Sequence, residues 1–302
     1  MKRMDEQRIK TVAIVGGGLI GESWAALFVA NGLDVRVYDP SPEIRARFQN
    51  GVAAKLADLS HLSEHERGGV EVVENQELAV QSADFIQENA PERSELKQSI
   101  FAAFEEQAPA HAVMASSTSS LVWSDFTAAM KNPERAIVAH PFNPPHLLPL
   151  VEIYGIDEGI VGRACRYYEG LGHTPVRIRK EVPGHIANRL SSALFQEAVH
   201  IVAEGIADVE DVDKALKAGP GLRWAAAGVF LGYHLGGGEG GIRHYLGHLG
   251  PSQQARWASL GRPELSNDVC EKISSEVEAM VGSSSIGDLE AVRNARLLEI
   301  RQ

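Results

Sequence analysis

The sequence predicts an α/β domain followed by an all-helical domain. Short apolar segments alternate with longer amphipathic ones through the first half of the chain, which is typical of βαβ units. A glycine-rich turn directly follows the first apolar segment. After residue 182 the apolar residues recur at helical spacing alone, and 302 residues are enough for two hydrophobic cores. We therefore predict two domains, residues 1–181 and residues 182–302.

Six short apolar runs predict the strands of the first domain: residues 12–15, 35–38, 84–87, 113–115, 137–139 and 176–178. Helical patterns at residues 22–31 and 93–106 lie between some of them. Strands that alternate with helices form a parallel sheet, because the helical crossovers cover both of its faces.

The second domain begins near residues 182–184, where the pattern changes. Residues 186–204 have apolar side chains at helical spacing for five turns. Asp208 is a typical N-cap for a further short helix. Residues 236–241 are glycine-rich and acidic and predict a loop, and helical patterns follow at residues 265–281 and 286–300.

Composition and charge exclude several classes of protein. The formal net charge of -11 disfavours binding to nucleic acid or to an anionic membrane surface. The two cysteines, Cys165 and Cys270, lack a Cys-x-x-Cys spacing, so we expect neither a disulfide framework nor a structural zinc site. No segment is apolar for long enough to suggest a secretion signal or a membrane span, which predicts a cytoplasmic location.

The glycine-rich turn predicts a dinucleotide site. It reads Gly16-Gly17-Gly18-Leu19-Ile20-Gly21 and leads from the first strand into a helix. In a Rossmann-like domain the first glycine of such a motif permits the tight turn, the second admits a pyrophosphate, and the third lets helix and strand pack closely. Asp39 ends the second strand at the spacing expected for an acid that binds the adenosine ribose hydroxyls. Because its carboxylate would repel a 2′-phosphate, the predicted cofactor is NAD.

A second set of polar residues predicts alcohol oxidation. Hydride transfer from a secondary alcohol needs a base for the hydroxyl proton, and no tyrosine in the chain has a lysine four residues on. His140 follows the predicted strand 137–139, at the sheet edge where ligands bind. Glu152 lies among apolar residues, and such an acid usually has a partner. It could fix the imidazole tautomer of His140 and stabilise the protonated ring.

A run of hydroxyl side chains, residues 116–120, follows another predicted strand. Such hydroxyls can bind a substrate oxygen, but they also commonly cap the next helix. Both interpretations remain open from position alone.

Taken together, these motifs resemble the 3-hydroxyacyl-CoA dehydrogenase superfamily along nearly the whole chain. The residues that carry the resemblance are Gly16–Gly21 with Asp39, Gln87-Glu88-Asn89, Ser117-Thr118-Ser119-Ser120-Leu121, His140-Pro141-Phe142-Asn143-Pro144, Val151-Glu152-Ile153 and Val182-Pro183-Gly184-His185-Ile186-Ala187-Asn188-Arg189.

The resemblance implies roles for individual residues. His140 would be the general base and Glu152 its orienting partner. Ser119 and Asn188 would hydrogen-bond the substrate oxygens, and Glu88 would lie near the nicotinamide ribose. It also implies a homodimer formed through the helical domain. One departure is His185, where the family usually has phenylalanine; we expect packing there rather than a substrate contact.

Two branches of the superfamily look closer than the rest. Residues 21–28 and 139–145 resemble L-gulonate 3-dehydrogenase, which is also λ-crystallin, whereas residues 219–224 and 234–241 resemble L-carnitine dehydrogenase. In both branches an arginine equivalent to Arg223 would suit a substrate carboxylate, although a surface ion pair is the simpler interpretation. For a trimethylammonium group, Trp224, Tyr233, Tyr245 and Glu239 are candidates for an aromatic cage, although aromatic residues in helices are more often core.

The sequence predicts a class of substrate and leaves two alternatives open. The charges after Asp39 are mixed, whereas a grip on acyl-CoA needs clustered basic residues. We therefore expect a small free L-3-hydroxy acid, carnitine-like rather than gulonate-like, with an L-3-hydroxyacyl-CoA thioester as the alternative and a non-catalytic, crystallin-like protein as a third. Three histidines, His234, His244 and His248, lie close in sequence, but hydride transfer to NAD needs no metal and we expect none.

Overall fold

A computed structural model describes residues 9–59 and 67–301, and the first part of the chain forms an eight-stranded sheet. Its strand order is β3-β2-β1-β4-β5-β6-β7-β8. The strands are β1 (Thr11–Val15), β2 (Asp34–Tyr38), β3 (Val70–Val72), β4 (Phe85–Glu88), β5 (Val113–Ser116), β6 (Ala136–Pro141), β7 (Leu150–Tyr154) and β8 (Thr174–Arg177). Neighbours are parallel except β6 and β7, which are antiparallel.

Helices cover both faces of this sheet, and each face has its own hydrophobic core. The covering helices are α1 (Leu19–Ala30), α2 (Pro42–Asp58), α3 (Gln76–Val80), α4 (Ser94–Gln107), α5 (Trp123–Thr127) and α6 (Glu158–Gly170). Trp24, Phe28 and Tyr168 are buried on one face, and Phe101 and Phe104 on the other. The strands are correspondingly apolar on both sides, as expected for a sheet buried between helical layers.

The rest of the chain is helical: α7 (Ala187–Ala203), α8 (Val209–Ala218), α9 (Pro220–Gly236), α10 (Gly241–Ser259), α11 (Asn267–Val281) and α12 (Ile286–Arg301). The molecule divides into two compact units. One comprises the described residues up to Asn188 together with those from Glu290 onward, and the other is Arg189–Leu289. The boundary predicted at residues 181/182 lies just before α7 and stays a prediction.

The predicted fold class is confirmed, and all six predicted strands are present with small changes at their ends. Strands β3 and β7 were not predicted, and β7 makes the sheet mixed rather than wholly parallel. The loop predicted at residues 236–241 is wrong: α9 continues to Gly236, and a single 3₁₀ turn at Gly238–Gly240 leads into α10. Gly228 has non-helical backbone angles, φ 70° and ψ 174°, and kinks α9, whereas Pro251 lies inside α10. No helix within residues 9–59 and 67–301 is long and apolar enough to cross a bilayer.

Candidate active site

The glycine turn has the geometry that a dinucleotide site requires. Gly16 has φ +102°, a conformation that favours glycine, and a Cβ there would lie 2.6 Å from the Asn89 carbonyl. A Cβ at Gly21 would lie 2.1 Å from the Gly16 oxygen, so the close approach of turn and helix excludes a side chain. Gly18 differs, since a Cβ there would meet no atom of the protein within 4 Å.

Asp39 lies beside this turn, at the carboxyl end of β2. It is buried, and one carboxylate oxygen accepts a hydrogen bond from the Gly17 N–H at 2.7 Å. The other accepts from the Ser41 N–H at 2.9 Å. The open space at Gly18, the first N–H groups of α1 and the fixed carboxylate of Asp39 together fit the pyrophosphate and ribose of NAD. Leu19 and Ile20, also predicted to contact the cofactor, form the first turn of α1, with Leu19 exposed.

A buried polar cluster fixes the ends of β4 and β5 next to the turn. Glu88 is fully buried and forms an ion pair with Lys97 of α4 at 2.6 Å. It also accepts hydrogen bonds from the Ser116 hydroxyl and, at 2.6 Å, from the Ala90 N–H. Its carboxylate therefore already has three partners, and a contact between Glu88 and the nicotinamide ribose stays a prediction.

His140 and Glu152 lie opposite each other in the antiparallel pair β6–β7. Nδ1 of His140 is 2.9 Å from Oε2 of Glu152, and both side chains are buried. Because a carboxylate can only accept, the proton of the imidazole lies on Nδ1. This leaves Nε2 of His140 with a free lone pair, which is the arrangement a general base needs.

Glu152 also anchors the start of α7. Its other oxygen, Oε1, accepts hydrogen bonds from the N–H groups of Ile186, at 2.7 Å, and Ala187, at 3.0 Å. Burial by itself would raise the pKa of Glu152, but the hydrogen bonds from His140 and from these two N–H groups lower it below the ordinary value. The carboxyl group is therefore ionised at neutral pH and fixes both the His140 ring and the backbone of residues 186–187.

The loop that contains Ser119 is hydrogen-bonded to His185, before α7, and to Asn188, in the first turn of α7. The Asn188 side chain donates to the Ser119 carbonyl at 3.1 Å, and the His185 ring donates to the Thr118 carbonyl at 3.1 Å. The His185 ring is buried and its centroid is 5.1 Å from that of His140. Burial lowers the pKa of His185. The hydroxyl run does not cap a helix, since α5 begins only at Trp123 and its N-cap is Val122.

Two further side chains that hydrogen-bond to distant parts of the chain were not predicted from the sequence. Glu92 accepts hydrogen bonds from the backbone of the Ser119 loop. His146, in the connection between β6 and β7, contacts the Ser23 hydroxyl at 2.6 Å and the Asp58 carboxylate at 3.2 Å. Neither belongs to a local motif, because their partners are far away in the sequence.

The remaining predicted residues lie in the second unit. Arg223 and Trp224 are both on α9, Arg223 exposed and Trp224 partly buried. Tyr233 and Tyr245, two of the candidate cage residues, are in ring contact with centroids 4.9 Å apart. His244 and His248 stack at 5.6 Å. Across residues 9–59 and 67–301, no three His, Cys, Asp or Glu side chains are grouped so that they could hold a metal ion.

Two family models match this chain when it is compared with known proteins. Residues 11–182 match the model of the 3-hydroxyacyl-CoA dehydrogenase NAD binding domain, and residues 184–273 match that of the 3-hydroxyacyl-CoA dehydrogenase C-terminal domain. The chain is 40% identical over 300 residues to L-carnitine dehydrogenase of Streptomyces coelicolor, covering 97% of this chain and 94% of the relative. It is 42% identical over 300 residues to L-carnitine dehydrogenase of Pseudomonas aeruginosa, covering 97% and 93%.

A solved structure is similar over the same length. It is an NAD⁺-dependent dismutase, 5-formyl-3-hydroxy-2-methylpyridine 4-carboxylic acid 5-dehydrogenase, which superposes with a TM-score of 0.83 at 26% identity. The similarity covers 97% of this chain and 98% of that one.

Proposed function

Because the chain belongs to the 3-hydroxyacyl-CoA dehydrogenase family, we propose that it oxidises the 3-hydroxyl of L-carnitine to the ketone. The family resemblance read from the motifs is confirmed, as are NAD as cofactor and the class of NAD-dependent oxidoreductases that act on CH–OH groups. The substrate rests on one observation, the 40–42% identity to L-carnitine dehydrogenases over 97% of the chain.

In the proposed reaction His140 is the base. Its Nδ1–H donates to Glu152, so Nε2 accepts the hydroxyl proton of the substrate as the carbonyl forms. The protonated ring is then stabilised by the ionised carboxylate of Glu152 at 2.9 Å. NAD, when bound, supplies the acceptor for the hydride that leaves the substrate carbon.

Ser119 and Asn188 are proposed to bind the substrate oxygen. The Asn188 amide donates one of its two N–H groups to the Ser119 carbonyl, which leaves the other free for a ligand. The Ser119 hydroxyl is exposed and can turn to a ligand. Two donors directed at the oxygen would stabilise it as negative charge develops during hydride transfer.

The free-acid character of the substrate is proposed from Arg223, whose guanidinium suits a bidentate contact with a carboxylate. Trp224 and the pair Tyr233–Tyr245 offer aromatic faces that suit a trimethylammonium group. Residues 60–66 of the mixed-charge segment after Asp39 lie outside the described residues, while α2, which covers Pro42–Asp58, carries both acidic and basic side chains.

A homodimer is proposed for the assembled enzyme. Large apolar side chains of the second unit are exposed in the single chain, among them Phe230 at 84% and Trp257 at 63%. Exposed apolar surface of this kind is typical of an oligomer interface. Size-exclusion chromatography with light scattering should give twice the chain mass, and a mass of one chain would refute the dimer. A cytoplasmic location stays a prediction.

The function is tested by following NADH absorbance with purified protein, NAD and four substrates: L-carnitine, L-gulonate, L-3-hydroxybutyrate and L-3-hydroxybutyryl-CoA. We expect preference for L-carnitine, and turnover of the CoA thioester alone would refute the free-acid proposal. His140→Ala should abolish turnover. Arg223→Met should raise KM for carnitine at least about tenfold, since a charge-assisted bidentate contact is worth a few kcal/mol. An unchanged KM would remove Arg223 from the site.

A further inference from the structure

His185 lies in the turn that leads into α7, and its backbone is in the left-handed region. The turn is closed by a hydrogen bond from the His185 N–H to the Val182 carbonyl at 3.1 Å. Gly184 has φ +75° and His185 has φ +51°. Glycine takes up such angles freely, whereas a residue with a Cβ does so only against steric strain. Strain of this kind persists where surrounding contacts hold the residue in place, and the ring of His185 makes two such contacts.

The ring of His185 contacts both His140 and the loop that carries Ser119. The residue is 2% exposed, and its Nε2 lies 3.1 Å from the Thr118 carbonyl oxygen. Because a carbonyl can only accept, Nε2 carries a proton and donates it. The ring centroid is 5.1 Å from that of His140 at an interplanar angle of 46°, which is the geometry of a packed aromatic pair. One side chain therefore joins two groups of the proposed reaction.

The contact with His185 constrains the His140 ring in a way that Glu152 does not. The hydrogen bond from Nδ1 of His140 to Glu152, at 2.9 Å, holds one edge of the ring. A single hydrogen bond tolerates a range of donor angles, so the ring can tilt while the bond is kept. A second ring packed on its flank narrows that range, since close-packed atoms cannot overlap. The tilt matters because it sets the direction of the Nε2 lone pair.

The charge state of His185 suits a place beside a base. Burial lowers the pKa of His185, although the hydrogen bond to the Thr118 carbonyl acts in the opposite direction. The ring is therefore neutral at neutral pH. A positive charge at this distance would oppose the protonation of His140 during the reaction, and a neutral ring does not.

We propose that His185 is a positioning residue, whose ring and Nε2–H couple the orientation of the His140 base to the position of the Ser119 loop. This inference rests on the proposed function, in which His140 takes the hydroxyl proton of the substrate and Ser119 binds the oxygen. Both groups meet the same hydroxyl, so their relative position decides how often a bound substrate is aligned for reaction.

The test separates the two contacts of His185 by two replacements. His185→Phe keeps an aromatic ring against His140 but has no donor for the Thr118 carbonyl, whereas His185→Gln keeps an N–H donor but has no ring. His173→Phe is the matched control, since His173 is also buried and its Nε2 lies 2.9 Å from a backbone carbonyl, that of Pro145. For each variant kcat and KM are measured with L-carnitine, NADH affinity by fluorescence and Tm by thermal melting.

Both His185 variants are expected to lower kcat about tenfold and to keep NADH affinity within about twofold, because small displacements of reacting groups cost one to two orders of magnitude in rate. His173→Phe should lower Tm and keep kcat. Unchanged kcat in either His185 variant would overturn the coupling, since the contact that the variant lacks would then not be needed. Equal losses of kcat and NADH affinity would also overturn it, because a general loss of structure would explain both.

The double variant His185→Phe/Ser119→Ala tests the connection to the loop. The two losses should not multiply, because a loop without the Ser119 hydroxyl no longer carries the group that the hydrogen bond from His185 positions. Losses that multiply would show that the hydrogen bond acts elsewhere and would overturn the proposal.

Hydrogen exchange in the full-length protein separates this proposal from the assigned substrate. The Ser119 amide shares a peptide group with the Thr118 carbonyl, so it should exchange faster in His185→Phe than in the wild type, whatever the substrate. If the wild type turns over none of the four substrates, the proposed function fails, whereas faster exchange in the variant still supports the anchoring of the loop by His185. Exchange that does not change in His185→Phe overturns that anchoring.

Discussion

Replacing Glu152 by glutamine tests the proposed base most directly. The carboxylate makes three hydrogen bonds: one to His140 and two to the N–H groups of Ile186 and Ala187. A glutamine has one carbonyl oxygen and one NH₂ group, so it cannot accept on both sides. Facing its oxygen to α7 keeps two bonds, while facing it to His140 keeps one and puts NH₂ against two N–H groups. A buried polar group without a hydrogen-bond partner costs about 1–3 kcal/mol, so the orientation with the glutamine oxygen towards the two N–H groups is favoured.

In that orientation the NH₂ group donates to Nδ1 of His140, which must then carry its proton on Nε2. The imidazole can no longer accept the substrate proton, although its position is unchanged. An analogous tautomer change in serine proteases costs about 10⁴ in rate, and we expect a loss of about 10³ in kcat/KM here, or about 4 kcal/mol at 1.36 kcal/mol per tenfold.

The assay is the initial rate of NADH formation from NAD and L-carnitine, with NADH affinity measured by fluorescence and Tm by thermal melting. NADH affinity should not change, since the altered proton lies on the substrate side of the reaction. Glu105→Gln is the control, because it makes the same replacement at a carboxylate that accepts from backbone N–H groups far from His140. A kcat/KM for Glu152→Gln within about threefold of the wild type would refute the role of Glu152 in setting the tautomer.

Three further predictions concern the cofactor turn and the Ser119 loop. Gly21→Ala should lower Tm sharply, because its Cβ would lie 2.1 Å from a backbone oxygen, whereas Gly18→Ala, which meets no protein atom within 4 Å, should keep Tm and weaken NADH binding about tenfold. Asp39→Asn should lower the ratio of kcat/KM with NAD to kcat/KM with NADP at least about tenfold, because the charge that repels a 2′-phosphate is lost. An unchanged ratio would show that Asp39 does not select between the two cofactors. The pKa of Glu92 falls from 4.5 to about 2 on folding, so its contribution is present above pH 4.5 and is lost as the pH falls towards 2. Because the side chain is 31% exposed, we expect the charged carboxylate to contribute about 1–2 kcal/mol to the free energy of unfolding. Urea unfolding of the wild type and of Glu92→Gln should give free energies whose difference becomes smaller as the pH falls from 4.5 towards 2.

Much of the fold could be predicted because most strands of the first unit are recognisable from a short stretch of sequence. The strands around the sheet centre are continuous apolar runs, and β1 is followed by a Gly-x-Gly-x-x-Gly turn that is typical of dinucleotide-binding domains. Strand β7 was missed because Leu150–Tyr154 contains a charged residue at its centre and follows a proline-rich connection. That residue is Glu152, whose carboxylate contacts the His140 ring across the antiparallel pair.

The His140–Glu152 pair could be predicted chemically although the hairpin that forms it could not. The sequence shows a histidine at a strand end and an isolated acid twelve residues later, but not the antiparallel register that places them opposite each other. Antiparallel pairing needs only a short connection, whereas a parallel crossover needs about a dozen residues or more. The connection between β6 and β7, residues 142–149, is too short for a crossover, and this length is the signal that could have revealed the hairpin.

Glu92 has no such local signal, yet its place follows once the strand order is known. Strands β4 and β5 are parallel neighbours, so the segments that follow them, residues 89–92 and 117–121, leave the sheet at the same edge. An acid in one segment and a run of N–H groups and hydroxyls in the other then face each other, although they are 26 to 29 residues apart in sequence. A sequence motif identifies groups that lie on one short segment, whereas a contact between the ends of two neighbouring strands becomes visible only when the strand order is known. The contacts of a predicted reactive group are therefore best sought at the ends of the neighbouring strands.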